Sequence, residues 1–302
     1  MVGRAGLAEW CVPVGIGNIG DRDMMPLQKK TAIDSKAGVA SPLGVAISEG
    51  DAAVLDMVRL AIDTRRLRLA FQPVVLARDP SRVAFSEGLI RVLEPSGRVI
   101  PARDFMQAVE TTEIGREIDC VALEFGLATL ARFKDQRISI NLSARSIGYP
   151  RLAQVLKRGL AAGPDVGARL ILEISESSAM LVPEVVIAFM EELQEQGVAF
   201  ALDDFGSGFM AIRYFKDFFF DILKIGGQFV RNIDVDPDNQ ALTAALISIG
   251  KHFEMFTVAE RVESVAEAER LRALGIDCLQ GYLFGAATVK PAWAQAKAQK
   301  TA

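Results

Sequence analysis

The chain has 302 residues, half of them hydrophobic, and a formal net charge of −4. That length supports one large core or two small domains, and the mild acidity argues against non-specific binding to long nucleic acid, which needs a basic face. No stretch reaches the ~18 apolar residues of a membrane span, and the first residues lack the ordered regions of a signal peptide.

Residues 1–50 mix Gly, Pro, Ser and charges without a sustained period, as in "GIGNIGDRDMMPLQKKTAIDSKAG", and are expected to form a flexible extension with Trp10 and Cys11 as a small anchor at most. From Asp51 the pattern becomes regular. "AAVLDMVRLAIDTRRL" has helical spacing, "RLAFQPVVL" is a strand, and "RVAFSEGLIRVL" is a second strand carrying Glu87. "PARDFMQAVETTEIGREIDCVALEFGLATLARF" predicts two helices broken near Thr112. Strands and helices then alternate: "RISINLSA" and "YPRLAQVLKRGLAA"; "ARLILEISES" and "VPEVVIAFMEELQEQG"; "VAFALDDFGSG" and a short helix; "FDILKIG" and "NQALTAALISIGKHF"; "MFTVAERV" and "VAEAERLRALG"; and last the strand "DCLQGYLFG".

Eight strand candidates over residues 51–290, most followed by an amphipathic helix, predict a mainly parallel sheet covered by helices. Count and length suit an α/β fold of the TIM-like (β/α)8 barrel type, with a doubly wound open sheet as the alternative. Residues 291–302 are left as a C-terminal tail.

The three cysteines, Cys11, Cys120 and Cys278, are far apart and show no metal-ligand spacing, so a reducing cytoplasmic compartment is expected. His252 is the single histidine. A histidine-rich zinc site is therefore excluded, and any metal must be held by oxygen, which favours Mg²⁺ or Mn²⁺.

Polar residues interrupt strand after strand near its C-terminal end: Glu87, Asn141, Glu173, Asp203 with Asp204, Lys224, Glu260 and Gln280. In a barrel these ends converge on one face. Carboxylates brought together there repel unless cations bind or pKa values rise. Oxygen ligands and a shared carboxylate point to a two-metal site, with ions ~3.5–4 Å apart, of the kind that cleaves phosphate esters. Lys224 on the neighbouring strand is suited to orient the attacking water or offset charge.

The ordered motifs "FQPVV", "EGLIR", "NLSA", "LEISES", "DDFGSG", "LKI", "AERVE" and "QGYLF" resemble the EAL-domain family of bacterial cyclic di-GMP phosphodiesterases and their degenerate relatives. The resemblance implies a (β/α)8 barrel with one reversed strand and Mg²⁺- or Mn²⁺-dependent opening of cyclic di-GMP to linear pGpG. It assigns Glu87, Asn141, Glu173 and Asp203 to a first ion, and Asp203, Asp204 and Glu260 to a second. Lys224 matches the lysine beside the attacking water. Glu176 matches the glutamate that steadies the loop "FGSGFMAIRYF", which takes part in dimerisation in relatives, so a homodimer is implied. Gln72 and Arg91 match ligand-contacting positions, and Gln280 and Glu263 further polar positions at the site. Arg91, four residues after Glu87, shares its strand face.

Several positions depart from the family pattern. The signature reads Glu87-Gly88-Leu89, not Glu-Ala-Leu. Gly226 stands where an aspartate is usual, Arg261 where a glycine is usual, and Val92 where a tryptophan is usual; Gly285-Ala286-Ala287 replaces Ser-Lys/Arg-Pro. The metal ligands and lysine favour catalysis. The drifted neighbours favour the alternative, a catalytically impaired receptor or protein-interaction regulator with a partner reached through residues 1–50.

Overall fold

The structure, a computed structural model, describes residues 42–206 and 212–295. Helix α1 (Pro42–Asp63) leads into the hairpin of β1 (Leu67–Leu76) and β2 (Asp79–Leu93), and β3 (Val99–Pro101) folds back along β2. The single-turn α2 (Met106–Val109) and long α3 (Glu113–Arg132) follow, separated at Thr112 as the sequence predicts. The chain then alternates through β4 (Ile138–Asn141), α4 (Pro150–Leu160), β5 (Leu170–Ser175), the single-turn α5 (Glu176–Ala179), α6 (Pro183–Gln194) and β6 (Ala199–Phe205). It continues with β7 (Ile222–Ile225), the single-turn α7 (Gly227–Val230), α8 (Pro237–His252), β8 (Phe256–Ala259), α9 (Val265–Leu274) and β9 (Cys278–Gln280).

Eight strands close into a ring in the order β1-β9-β8-β7-β6-β5-β4-β2, with β2 pairing back onto β1. β1 runs antiparallel to both neighbours, and the remaining ring pairs are parallel. The fold is thus a TIM-like (β/α)8 barrel with one reversed strand. The reversal follows from chain connectivity: only Ala77 and Arg78 separate β1 from β2, and so short a link permits only an antiparallel partner. Helix boundaries are written locally. Pro150, Pro183 and Pro237 open α4, α6 and α8, where a missing N–H costs nothing. Gly275 closes α9 at φ 85°, a left-handed turn that glycine adopts freely.

Period-2 geometry fills the barrel in layers. Val74, Phe85, Ile171, Ala201, Ile222, Val258 and Cys278 form one apolar cluster, one residue from each of seven ring strands, and the eighth strand contributes buried Ser139. Two residues further along each strand stands a polar side chain: Glu87 after Phe85, Asn141 after Ser139, Glu173 after Ile171, Asp203 after Ala201, Lys224 after Ile222, Glu260 after Val258 and Gln280 after Cys278. On the reversed β1 the offset inverts, and Gln72 precedes Val74 by two. A floor of apolar side chains thereby carries a polar layer contributed by seven strands and by Glu260, the residue directly after β8.

Four expectations need correction. Residues 42–50, assigned to the extension, form the first turns of α1; residues 1–41, with Trp10 and Cys11, lie outside the described residues. Glu87 is not at a strand end, because β2 runs on to Leu93 in its pairing with β1 and β3. The short β3 was not expected. Residues 291–295 are not a detached tail: Trp293 meets Phe71 and Phe133 edge-on at centroid distances of 5.1 and 4.9 Å. His252 ends α8 on the exposed surface, against the Phe253 ring. Among the described residues no helix is long and apolar enough to cross a membrane.

Candidate active site

The polar layer is knit together around one ammonium group. Lys224 is 1% exposed. Its Nζ lies 2.6 Å from Glu173 Oε2, 2.7 Å from Glu260 Oε1, 2.8 Å from Asp203 Oδ1 and 3.4 Å from Glu87 Oε2. Glu87 is held on both oxygens: Asn141 Nδ2 donates to Oε1 at 2.8 Å and Gln280 Nε2 to Oε2 at 2.6 Å. Gln280 Nε2 also approaches Gln72 Oε1 at 3.4 Å, and Gln72 Nε2 donates to the Gly285 carbonyl at 3.1 Å. Strand register brings these groups together, since Asn141 pairs with Glu173 and Gln72 with Glu87 in the ladders.

Four carboxylates face one lysine, and their protonation shows the strain. Burial drives the Glu173 carboxyl up to about 8, with the Glu87 charge adding to the rise and Lys224 opposing it. Burial likewise carries Glu260 well above the usual carboxylate range. At Asp203 burial is outweighed by the charge and hydrogen bond of Lys224, so its acid is stronger than usual. Burial would weaken the Lys224 ammonium, but Asp203, Glu173, Glu260 and Glu87 hold it well above its ordinary value. Asp204, in the left-handed region at φ 51°, has its carboxyl raised by burial and by Asp203, with Arg261 opposing.

The layer forms the floor of a cavity of about 830 Å³ that reaches solvent. Gln72, Glu87, Arg91, Asn141, Asp203, Asp204, Lys224, Glu260, Glu263 and Gln280 all line it, so ten of the twelve sequence-derived site residues share one cavity. Glu173 lies beneath the lining, 1% exposed, and reaches the layer through Lys224. Glu176 stands apart at the start of α5, where its Oε2 accepts the Gly206 N–H at 3.0 Å. It therefore fixes the turn after the paired aspartates; residues 207–211 beyond it lie outside the described residues. The Arg91 guanidinium donates to its own Ile90 carbonyl at 2.9 Å and has its proton affinity lowered by burial and by Arg103.

Among the described residues no group of three or more His, Cys, Asp or Glu side chains stands ready to hold a metal ion. Lys224 Nζ stands at the point on which three of the carboxylates converge. The donor set itself fits a hard cation. It is all oxygen, four carboxyl groups face a single ammonium, and buried Glu173 Oε1 has no hydrogen-bond partner among the described residues.

The cavity also contains groups that sequence patterns did not single out. Asp119, on α3, accepts from Ser146 Oγ at 2.6 Å and from the Ser143 N–H at 3.1 Å, which fixes the loop after Asn141; burial raises its pKa to about 7. An acid inside the apolar stripe "EIDCVALEFG" was the available signal. Arg103 and Tyr282 line the wall, and Tyr282 helps raise the proton affinity of Arg103. Both lie in connecting segments without a period to mark them.

Comparison with known proteins agrees with this geometry. A family model described as the EAL domain matches residues 55–287. The chain is 31% identical over 237 residues to the bifunctional diguanylate cyclase/cyclic di-GMP phosphodiesterase MucR of Pseudomonas aeruginosa, covering 77% of this chain and 34% of that protein. It is 31% identical over 229 residues to the cyclic di-GMP phosphodiesterase PdeB of Shewanella oneidensis, covering 74% of this chain and 27% of that protein. The chain thus spans about a third or less of the length of these two relatives. Among solved structures, the PaMucR phosphodiesterase in complex with c-di-GMP superposes with a TM-score of 0.72 at 30% identity, covering 80% of this chain and 98% of that one.

Proposed function

Because the chain belongs to the EAL domain family, we propose that it hydrolyses cyclic di-GMP to linear pGpG with the help of two divalent cations, Mg²⁺ or Mn²⁺. The observation that carries this is the polar layer: seven strands each contribute one polar side chain and Glu260 follows the eighth directly, and four of the eight are carboxylates with one lysine among them. A merely structural barrel would fill that layer with apolar side chains.

Glu87, Asn141, Glu173 and Asp203 would hold one ion, and Asp203, Asp204 and Glu260 the other. When bound, the cations supply positive charge that activates a water and offsets charge on the phosphate. Lys224 keeps Asp203 ionised, and an N–H that a bound cation releases from Glu173 or Glu260 would meet the attacking water. Asn141 and Gln280 fix both oxygens of Glu87, so that carboxylate needs little reorganisation on binding. Arg91 sits at the cavity wall, suited to a phosphate oxygen. Water oxygen forms the new bond to phosphorus, the P–O3′ bond breaks, and the 3′ oxygen leaves as a hydroxyl, so the ring opens to pGpG.

Loss of cyclic di-GMP would shift biofilm and motility decisions. The same reading has the protein act in the cytoplasm as a homodimer, with residues 1–50 free to engage a separate protein partner. A second reading has a specific basis: Gly226 and Gly285-Ala286-Ala287 remove groups that relatives use around the site, which favours a receptor that binds without cleaving. The test is purified protein with cyclic di-GMP and Mn²⁺, products resolved by chromatography. The phosphodiesterase gives pGpG that disappears in Glu87→Ala and in chelator. Tight binding with no product would establish the receptor instead.

A further inference from the structure

Arg261 follows Glu260 directly and adopts φ 55°, a left-handed conformation that disfavours every side chain except the smallest. The backbone on either side is pinned. Glu260 N–H donates to the Ile225 carbonyl at 3.1 Å, and Val262 N–H to the Gln280 carbonyl at 2.9 Å. Glu267 completes the clamp by accepting from the N–H groups of Glu263 and Ser264 at 2.9 and 3.0 Å. The side chain has a prepared seat. A Cβ added to Gly227 would stand 2.5 Å from Arg261 Cδ and 2.9 Å from its Cβ and Cγ, so the arginine stem lies against the bare face of that glycine. From this seat Arg261 lines the cavity, and its charge reaches Asp204. Among the described residues no hydrogen bond or ion pair holds its guanidinium. Strain of this kind persists where a side chain is needed in one place.

Arg91 lines the same cavity from β2. In the ring, β2 and β8 are separated by β1 and β9, so the two arginines come from different sectors of the wall.

We propose that Arg261 is a substrate-binding residue: its guanidinium grips the phosphate of the cyclic dinucleotide that is not being cleaved, tightening binding without speeding the chemical step. The proposal rests on the cyclic di-GMP reading of the site and adds a contact to it. Gly227 belongs to the device, because it leaves the room in which the arginine stem is seated.

The test measures cyclic di-GMP affinity by calorimetry in chelator, kcat and KM with Mn²⁺, and thermal melting, for wild type, Arg261→Gly, Arg261→Gln, Arg261→Lys and Gly227→Ala. Loss of a charged hydrogen bond should weaken Kd and raise KM roughly 10- to 100-fold in Arg261→Gln, with kcat within about twofold of wild type. Arg261→Lys should recover part of the loss. Arg261→Gly should melt higher than wild type while binding more weakly, a pairing that a structural arginine would not give. Gly227→Ala should weaken binding in wild type and add nothing in the Arg261→Gly background. Unchanged Kd and KM in both Arg261→Gly and Arg261→Gln would overturn the proposal, as would a fall in kcat alone. If wild type neither binds cyclic di-GMP nor cleaves it with Mn²⁺, the functional reading fails and this inference with it; if wild type binds or cleaves it and Arg261 is silent, only this inference fails.

Discussion

Lys224 is the positive charge about which the carboxylates of the barrel are arranged, and its removal separates stability from chemistry. In Lys224→Met the metal-free protein keeps four crowded carboxylates with no cation, and breaking a buried ion pair from one side costs roughly 3–5 kcal/mol. Urea unfolding should show that loss without metal and a large part of it restored in millimolar Mn²⁺, while cleavage stays abolished; a loss that Mn²⁺ leaves untouched would contradict the cation reading. Asp119 makes a different prediction. Its carboxyl is raised from 3.8 to about 7, chiefly by burial, so between those values the folded protein holds a proton that the unfolded chain has released. Stability from this group is therefore complete below 3.8, falls as pH rises through the window, and is level above about 7. Asp119→Asn should flatten that part of the stability–pH curve, measured by denaturant titration, and an unchanged slope would show that the acid does not titrate there.

Loop geometry around the cavity is set by helix caps rather than by the strands alone. Ser264 caps α9 in a capping box with Glu267, whose other oxygen accepts the Asn232 N–H at 3.1 Å. Ser264→Ala should cost about 0.5–2 kcal/mol. Glu267→Ala should cost more and also weaken ligand binding, because it frees the backbone of Glu263 beside Arg261. Equal losses in the two variants, with ligand affinity unchanged, would restrict Glu267 to a capping role. Polar residues interrupting apolar runs made the layer legible in the sequence, as at Glu173 and Lys224, whereas Gln72, Arg91, Glu176 and Glu263 were reached only through the family motifs. Other elements were not legible. β3, α5 and α7 span three or four residues each, too few for a period to register. The first turns of α1 run through "PLGVAISEG", where glycines mask the helical pattern. Asp119 is one of four acids on α3, and only its packing against the Ser143–Ser146 turn sets it apart from the others.

Barrel closure determines where the functional groups meet. β1 links β2 to β9, and the returning chain pairs Thr288 with Phe71 and packs Trp293 against Phe71 and Phe133. This seals the joint between the first strand and the last. Trp293→Ala should cost about 2–3 kcal/mol, less than the ~3–5 of a fully buried ring, and calorimetric melting should retain one transition; two transitions would mean that the C-terminal segment packs as a separate unit. Alternating strands and helices made the barrel itself legible, while the reversed strand came from family resemblance and is explained by the two-residue link after Leu76. The whole account turns on whether the polar layer is a cation site. The most direct measurement is the melting temperature of chelator-stripped protein titrated with Mn²⁺, for wild type and Glu173→Ala. A saturable rise in wild type that is lost in Glu173→Ala is the expected result; melting indifferent to Mn²⁺ in wild type would contradict it.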